Sequence, residues 1–202
     1  MRFFLFSLAV LAFVLAPLRF HAQAPAAAPS PPVIAEKIPL HGIHNAGKIS
    51  DRLFRGAQPA LSSLPQLRTL GITTIVDLRR EAPQTRENER RLAESLGLRF
   101  VHIPVGGFST PSSQQLAQFF SLLRETQPQT LFVHCEFGED RTGVFIASYR
   151  IAVQHWSAEQ ALREMYAFGF NGSWHPSMIT FVRGLPARLQ SDATLKAALP
   201  AP

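Results

Sequence analysis

Apolar residues along this chain change period in step. Short runs rich in β-branched and aromatic residues, Leu53-Phe54, Thr73 to Asp77, Arg99 to Ile103 and Leu131 to Val133, read as strands. Between them lie stretches with helical spacing. The clearest runs from Ser112 to Thr126, where Leu116, Phe119, Phe120 and Leu123 fall on one face. Ser63 to Leu70 is a second helix, with Pro65 in its first turn and Gly71 as its stop; Thr85 to Leu96, closed by Gly97, is a third. Thr142 opens a fourth that continues through Val153, and Ser157 with Gln160 forms a capping box for a fifth that reaches Ala167. Strands alternating with helices predict an α/β layered domain.

The hydrophobic pattern also marks the ends. Met1-Arg2, the apolar run Phe3 to Leu18 and the small-residue stretch Ala22-Gln23-Ala24 have the layout of a secretory signal, so export to the periplasm or medium is expected. Cleavage is expected after Ala24; an uncleaved segment would anchor the chain to a membrane. Residues 25–47 read as an Ala/Pro-rich linker and N-terminal segment, 48–190 as one domain and 191–202 as a tail.

The most informative run is His134-Cys135-Glu136-Phe137-Gly138-Glu139-Asp140-Arg141-Thr142-Gly143, placed between the Leu131 strand and the fourth helix. At a strand-to-helix junction the first helical amides lack intrahelical partners and the helix dipole adds partial positive charge, so an anion fits there. Five residues separate Cys135 from Arg141, enough to curl the chain into a cup of inward amides, with Gly138 relaxing the backbone. Glu136, Phe137, Gly138 and Glu139 would line that cup. The helix terminus and Arg141 both favour Cys135 as thiolate, the nucleophilic form. Arg141 offers a planar fork for two phosphoryl oxygens, Thr142 a hydroxyl near the sulfur, and His134 ring nitrogens that fix the loop.

His-Cys, five residues, then Arg-Thr resembles the signature of the cysteine-based protein tyrosine and dual-specificity phosphatases. Ile49 to Pro59 is similar to the entry strand of their atypical dual-specificity members, and Gly71 to Arg79 to the next strand. The resemblance implies a small, mostly parallel central sheet with helices on both faces and the loop at a strand's carboxyl end. It also implies metal-independent hydrolysis of a phosphomonoester, on a protein or a small molecule, through a phosphocysteine. Phosphoinositides or inositol phosphates are the alternative substrates, and a catalytically weak phosphate-binding module is the alternative of another class. Rhodanese-like sulfur transferases also use a loop cysteine, in a loop usually one residue shorter.

In that family the proton donor is commonly an aspartate on the loop after the preceding strand. The corresponding segment here, Pro104 to Pro111, holds no Asp or Glu. Asp140 is the leading substitute, since myotubularin-type lipid phosphatases carry a similarly placed aspartate; Asp77 and Glu81 are outside candidates, Asp77 being expected to pair with Arg79 or Arg55.

Charge and composition change this picture only at the margins. The formal net charge of +6 includes Arg2 and Arg19, so loss of the signal leaves a mild excess, and no basic run is interleaved with stacking aromatics to suggest nucleic acid. Glu136 and Glu139 put negative charge at the rim and disfavour polyanions. Arg79, Arg80, Arg86, Arg90 and Arg91 read as a solvated helix face paired with Glu87, Glu89 and Glu94. No cofactor is called for: His41 and His44 lack partners at metal-ligand spacing. His102 is expected beside the site, and the segment Phe168 to His175 to close the core under the last helix or to border the cup.

Overall fold

The computed structural model describes residues 33–199 apart from 126 and 128. The expected signal segment, and the Ala/Pro-rich stretch as far as Pro32, lie outside the described residues. Five strands form one sheet: β1 (Gly47–Ser50), β2 (Leu53–Gly56), β3 (Thr74–Arg79), β4 (Arg99–Val105) and β5 (Leu131–His134), in the order β1-β2-β5-β3-β4. β1 pairs antiparallel with β2; the other pairings are parallel. The sheet is small, mostly parallel and covered on both faces, as expected.

The pleat sorts side chains into two cores. Leu53, Val76, Leu131 and Val133 face one cluster, with α3 (Ser113–Arg124), α4 (Asp140–Gln154), α5 (Ala158–Ala167), α6 (Pro176–Ser191) and α7 (Ala193–Ala198). Phe54, Ile75 and Phe132 face the other, with α1 (Leu64–Thr69) and α2 (Pro83–Ser95). α4 is buried along most of its length, from Arg141 to Ile151. A helix buried on all sides belongs in a core, and its N-terminus is thereby fixed at the carboxyl end of β5.

Helix ends follow local chemistry. Ser112 and Ser157 make complete capping boxes with Gln115 and Gln160. α2 starts at Pro83, two residues before the predicted Thr85, because proline takes the first helical position and Ala82 absorbs the turn at φ 53°. Two stretches that the sequence set apart pack into the fold. In residues 33–47, Ile43 and Ala46 are buried, Lys37 bridges Gly47, and the Ala35 amide donates to Glu164. In place of a tail after residue 190, α6 runs to Ser191 and α7 follows, its Leu195 fully buried and Arg124 donating to the Ala197 carbonyl.

Candidate active site

β5 ends at His134, and α4 begins at Asp140, so residues 135 to 139 form the connection between them. Three carbonyls of this loop are taken by partners outside it. Cys135 O lies 3.1 Å from His134 Nδ1, Glu136 O accepts from the Gln58 amide at 3.1 Å, and Gly138 O accepts from Arg55 Nη2 at 2.5 Å and Asn45 Nδ2 at 3.1 Å. A trans peptide carries its C=O and N–H in opposite directions. Pinning these carbonyls outward therefore turns the amides of Glu136, Phe137 and Glu139 the other way, and among the described residues the amides of residues 136 to 139 donate to no backbone carbonyl. They are free donors at a helix N-terminus, the arrangement that receives an anion.

Gly138 makes the curl possible. Its φ is +71°, and a Cβ there would stand 2.4 Å from the Gly56 carbonyl carbon and 2.5 Å from the Ala57 nitrogen, so the loop rests directly on the end of β2.

The amides face a cleft of about 370 Å³. Cys135 forms its base, 3% exposed, and Glu136, Phe137, Glu139, Asp140 and Arg141 continue its wall. Gly107 and Phe108 supply a second side; Gly169, Asn171, Trp174 and His175 supply a third. Phe108, Phe137 and Trp174 are 71%, 61% and 71% exposed, an aromatic rim around the mouth. The Phe168 to His175 segment thus serves both expected purposes: Phe168 and Phe170 are core, while Trp174 and His175 border the cleft. His134, Gly138 and Thr142 are buried behind the wall and do not line it.

Arg141 is held from the side opposite the loop. Its Nη1 contacts Glu81 Oε1 at 2.7 Å and donates to the Val105 carbonyl at 3.2 Å. Burial works to raise the Glu81 carboxyl, but its own amide, the Arg141 guanidinium and the Arg80 amide outweigh that and hold it below the usual carboxylate range. Glu81 is therefore an anchor for arginine and a poor proton donor. Asp140, on the first turn of α4, accepts from the Asn171 amide at 3.4 Å and lies 3.4 Å from His175 Nε2; His175 in turn stacks on Phe108 at 4.9 Å. Thr142 Oγ1 is buried and, among the described residues, finds no hydrogen-bond partner, the Cys135 sulfur included. Glu139 is raised above its usual range by burial and by the neighbouring Asp140.

Behind the loop, on the α2 face of the sheet, sits a fully buried charged group. Asp77 accepts from Arg79 Nε at 2.9 Å and Nη2 at 3.0 Å, Arg79 Nη2 donates to Glu89 at 2.7 Å, and Glu89 Oε1 stands 3.0 Å from His134 Nε2. Asp77 thus pairs with Arg79 and not with Arg55. Glu89 departs from the solvated helix face assigned to it; only Glu87 and Glu94 pair with Arg90 in solvent. Atoms of Asp77, Glu89 and His134 fall within 4.8 Å of one another, but Arg79 bonds both carboxylates and supplies the cation that such a cluster requires. His102 also lies away from the cleft wall, its Nε2 2.7 Å from the Arg79 carbonyl.

Residues outside the predicted set position this site: Arg55, Asn45 and Glu89. A charged residue inside an otherwise apolar strand was the one visible signal for Arg55.

Comparison with known proteins places the chain among relatives. A family profile described as "DSP-PTPase phosphatase fused to NAD+ Kinase" matches residues 41–180. The dual specificity protein phosphatase TpbA of Pseudomonas aeruginosa is 30% identical over 126 residues, 62% of this chain and 55% of TpbA. The human phosphatidylglycerophosphatase and protein-tyrosine phosphatase 1 is 33% identical over 66 residues, 33% of each chain. The match thus spans about half or less of the length of these curated relatives. The crystal structure of TpbA superposes with a TM-score of 0.65 at 25% identity, covering 83% of this chain and 97% of that one; a TpbA variant in complex with pTyr gives the same TM-score at 24% identity and covers 83% and 96%. With its loop, fold and family profile in agreement, the chain belongs to the cysteine-based protein tyrosine and dual-specificity phosphatase superfamily, in the family of phosphatase domains described as fused to NAD+ kinase.

Proposed function

We propose that this protein hydrolyses phosphomonoesters through a phosphocysteine, with phosphotyrosine or a similar aryl phosphate as its preferred substrate. The observation that carries the reading is the set of outward-pinned carbonyls around Cys135, which leaves the loop amides free for the equatorial oxygens of a phosphoryl group. Cys135 Sγ attacks phosphorus in line and the ester oxygen leaves with the bonding pair. Arg141 and the amides stabilise the oxygens in the transition state, and water then displaces the thiolate to release phosphate. Cysteine supplies the nucleophile and arginine the positive charge, so the route needs no metal.

The aryl preference rests on the rim. Phe108, Phe137 and Trp174 offer ring faces for stacking, and Glu136, Glu139 and Asp140 oppose a polyanion such as an inositol polyphosphate. The pTyr complex of TpbA is consistent with it. Asp140 is the proton donor in this reading, as the carboxyl group of the cleft wall that stands on the catalytic helix. Export follows from the Met1 to Ala24 segment, and the N-terminal residue of the mature protein tests it.

An aryl phosphate assay decides the chemistry. Turnover insensitive to chelators and abolished by Cys135→Ser is expected; turnover that survives that change or depends on a divalent metal overturns it. The second reading, a phosphate-binding module of low turnover, rests on the carboxylate-free segment Pro104 to Pro111. An alkyl phosphate separates the two, because its leaving group needs the proton that a good aryl leaving group does not.

A further inference from the structure

Arg55 has no place in the chemistry above, yet it is among the largest fully buried side chains of the protein. It stands on β2 paired with Val133, and the pleat turns it to the face shared by Leu53, Val133 and Cys135. One of its nitrogens, Nη2, donates to the Gly138 carbonyl at 2.5 Å, and its guanidinium lies 4.0 Å from the centre of the Phe168 ring. Nε and Nη1 are buried with no partner among the described residues. Glu164, the carboxylate that acts on it most strongly, is engaged elsewhere: Arg150 holds both its oxygens at 2.9 Å and 2.5 Å. A buried cation without a bonded counter-ion is costly and persists only where something repays it.

Burial pulls the Arg55 guanidinium down to about 10, with Glu164 and then Cys135 as the negative groups that oppose the fall. It still carries its charge at neutral pH. That charge sits directly behind the loop, on the same face of the sheet as the nucleophile.

Asn45 converges on the same carbonyl. Its Nδ2 donates to Gly138 O at 3.1 Å and to Phe168 O at 2.7 Å, from a backbone held at φ 53°. Since Gly138 C=O and Glu139 N–H belong to one peptide plane, holding the first against β2 aims the second into the cup.

We propose that Arg55, with Asn45, is a positioning residue for the phosphate loop: it locks the Gly138–Glu139 peptide with its amide towards the anion, and its unpaired charge balances the Cys135 thiolate and the bound phosphoryl group. The inference rests on the reading of the cleft as a phosphate site, but its consequences are measured without turnover.

Two readouts on the full chain test it: inorganic phosphate binding by calorimetry, and the pH profile of iodoacetamide alkylation, which reports only Cys135 because the chain has a single cysteine. Arg55→Met is expected to weaken phosphate about tenfold and to move the alkylation midpoint up by about one pH unit. Arg55→Lys keeps the charge and should leave the midpoint near wild type while weakening phosphate several-fold. Asn45→Gly keeps the positive φ and should weaken phosphate about threefold without moving the midpoint. An Arg55→Met protein with a wild-type melting transition, midpoint and phosphate affinity overturns the proposal. If Arg55→Met does not fold, the other two variants decide: wild-type phosphate affinity in both overturns it equally. Failure of wild-type protein to hydrolyse any phosphoester, with phosphate binding intact, would sink the enzymatic reading alone.

Discussion

His134 Nε2 and Glu89 Oε1 lie 3.0 Å apart with both side chains fully buried, and His134 directly precedes Cys135. Burial acts to push the imidazole down, but Glu89 and Asp77 outweigh it and raise His134 above its usual value. With His134 protonated, two carboxylates meet two cations, and the group is neutral as a whole. His134 Nδ1 contacts the Cys135 carbonyl at 3.1 Å, so this neutral block is also the floor on which the loop is built.

The pH dependence of stability follows in sign. A raised imidazole pKa contributes stability that is fully present below about 6.5, the ordinary histidine value, and is lost as pH rises through the raised value. Asp77 behaves oppositely: burial would raise it, but His134 and Arg79 hold it below its usual range, so its contribution is lost in acid. Urea unfolding followed from pH 5 to 9 should show stability falling on the alkaline side, and the His134→Asn protein should lack that fall. A flat wild-type profile above neutrality would contradict a charged His134.

Glu89→Gln removes one carboxylate from the block and leaves Arg79 and His134 with a single counter-charge. Breaking a buried ion pair from one side typically costs about 3–5 kcal/mol. A loss of that order in chemical denaturation is expected, with weaker phosphate binding as its local trace because the Cys135 carbonyl loses its support. A loss below about 1 kcal/mol would place Glu89 among ordinary surface acids.

That role for Glu89 was invisible in the sequence for a physical reason. Glu87, Glu89 and Glu94 look alike along α2, and only the packing of Glu89 with Ala93, one turn later, turns that position inward. The loop from His134 to Thr142, by contrast, was legible because all of its chemistry is contiguous. Four of the five strands were legible from β-branched and aromatic runs, α3 from the helical spacing of its apolar residues, and α5 from its capping box. α6 was not, although Met178, Phe181, Val182 and Leu185 stand at helical spacing, because Gly184 and Pro186 interrupt it; the helix runs through both. Arg55 reaches the loop from β2, across a separation that no local pattern spans.

Glu81 offers a graded test of how Arg141 is held. The pair is half open to solvent on the Glu81 side, so its worth is discounted to roughly 1 kcal/mol. Glu81→Ala should lower kcat/KM for an aryl phosphate about fivefold, and Glu81→Gln, which keeps an acceptor for Nη1, should lose less. Equal losses in the two variants would show that the carboxylate acts through charge alone.

Gly138→Ala attacks the loop without touching a charge. The added methyl meets the backbone of Gly56 and Ala57 at 2.4–2.5 Å, and φ +71° strains any L side chain. The loop must lift off β2, which breaks the Arg55 and Asn45 bonds to the Gly138 carbonyl. Loss of phosphate binding by about tenfold or more is expected, with a stability loss of about 2 kcal/mol or more, since relief requires backbone to move. Near-native phosphate affinity in this variant would mean that the cup forms without its contact to β2.

Asp140 carries the sharpest question about the chemistry, because its carboxylate already has two neighbours, the Asn171 amide and His175 Nε2, both at 3.4 Å. These contacts are long, and the carboxyl group stands on the cleft wall beside Arg141. They also tie the first turn of α4 to the segment that carries Trp174, so a purely architectural role predicts its own outcome. As proton donor, Asp140→Asn should slow an alkyl phosphate by about 100-fold while changing a nitrophenyl phosphate by less than about threefold, because general acid catalysis matters most for the poorer leaving group. The acidic and basic limbs of the alkyl pH–rate profile should change with it. As an architectural residue, the same change should lower both rates in proportion, through weaker binding, and leave the shape of the profile intact. Proportional loss would pass the role of acid to Glu139, whose carboxyl is already raised by burial and by Asp140 itself, and Glu139→Gln would then show the selective loss on alkyl substrates.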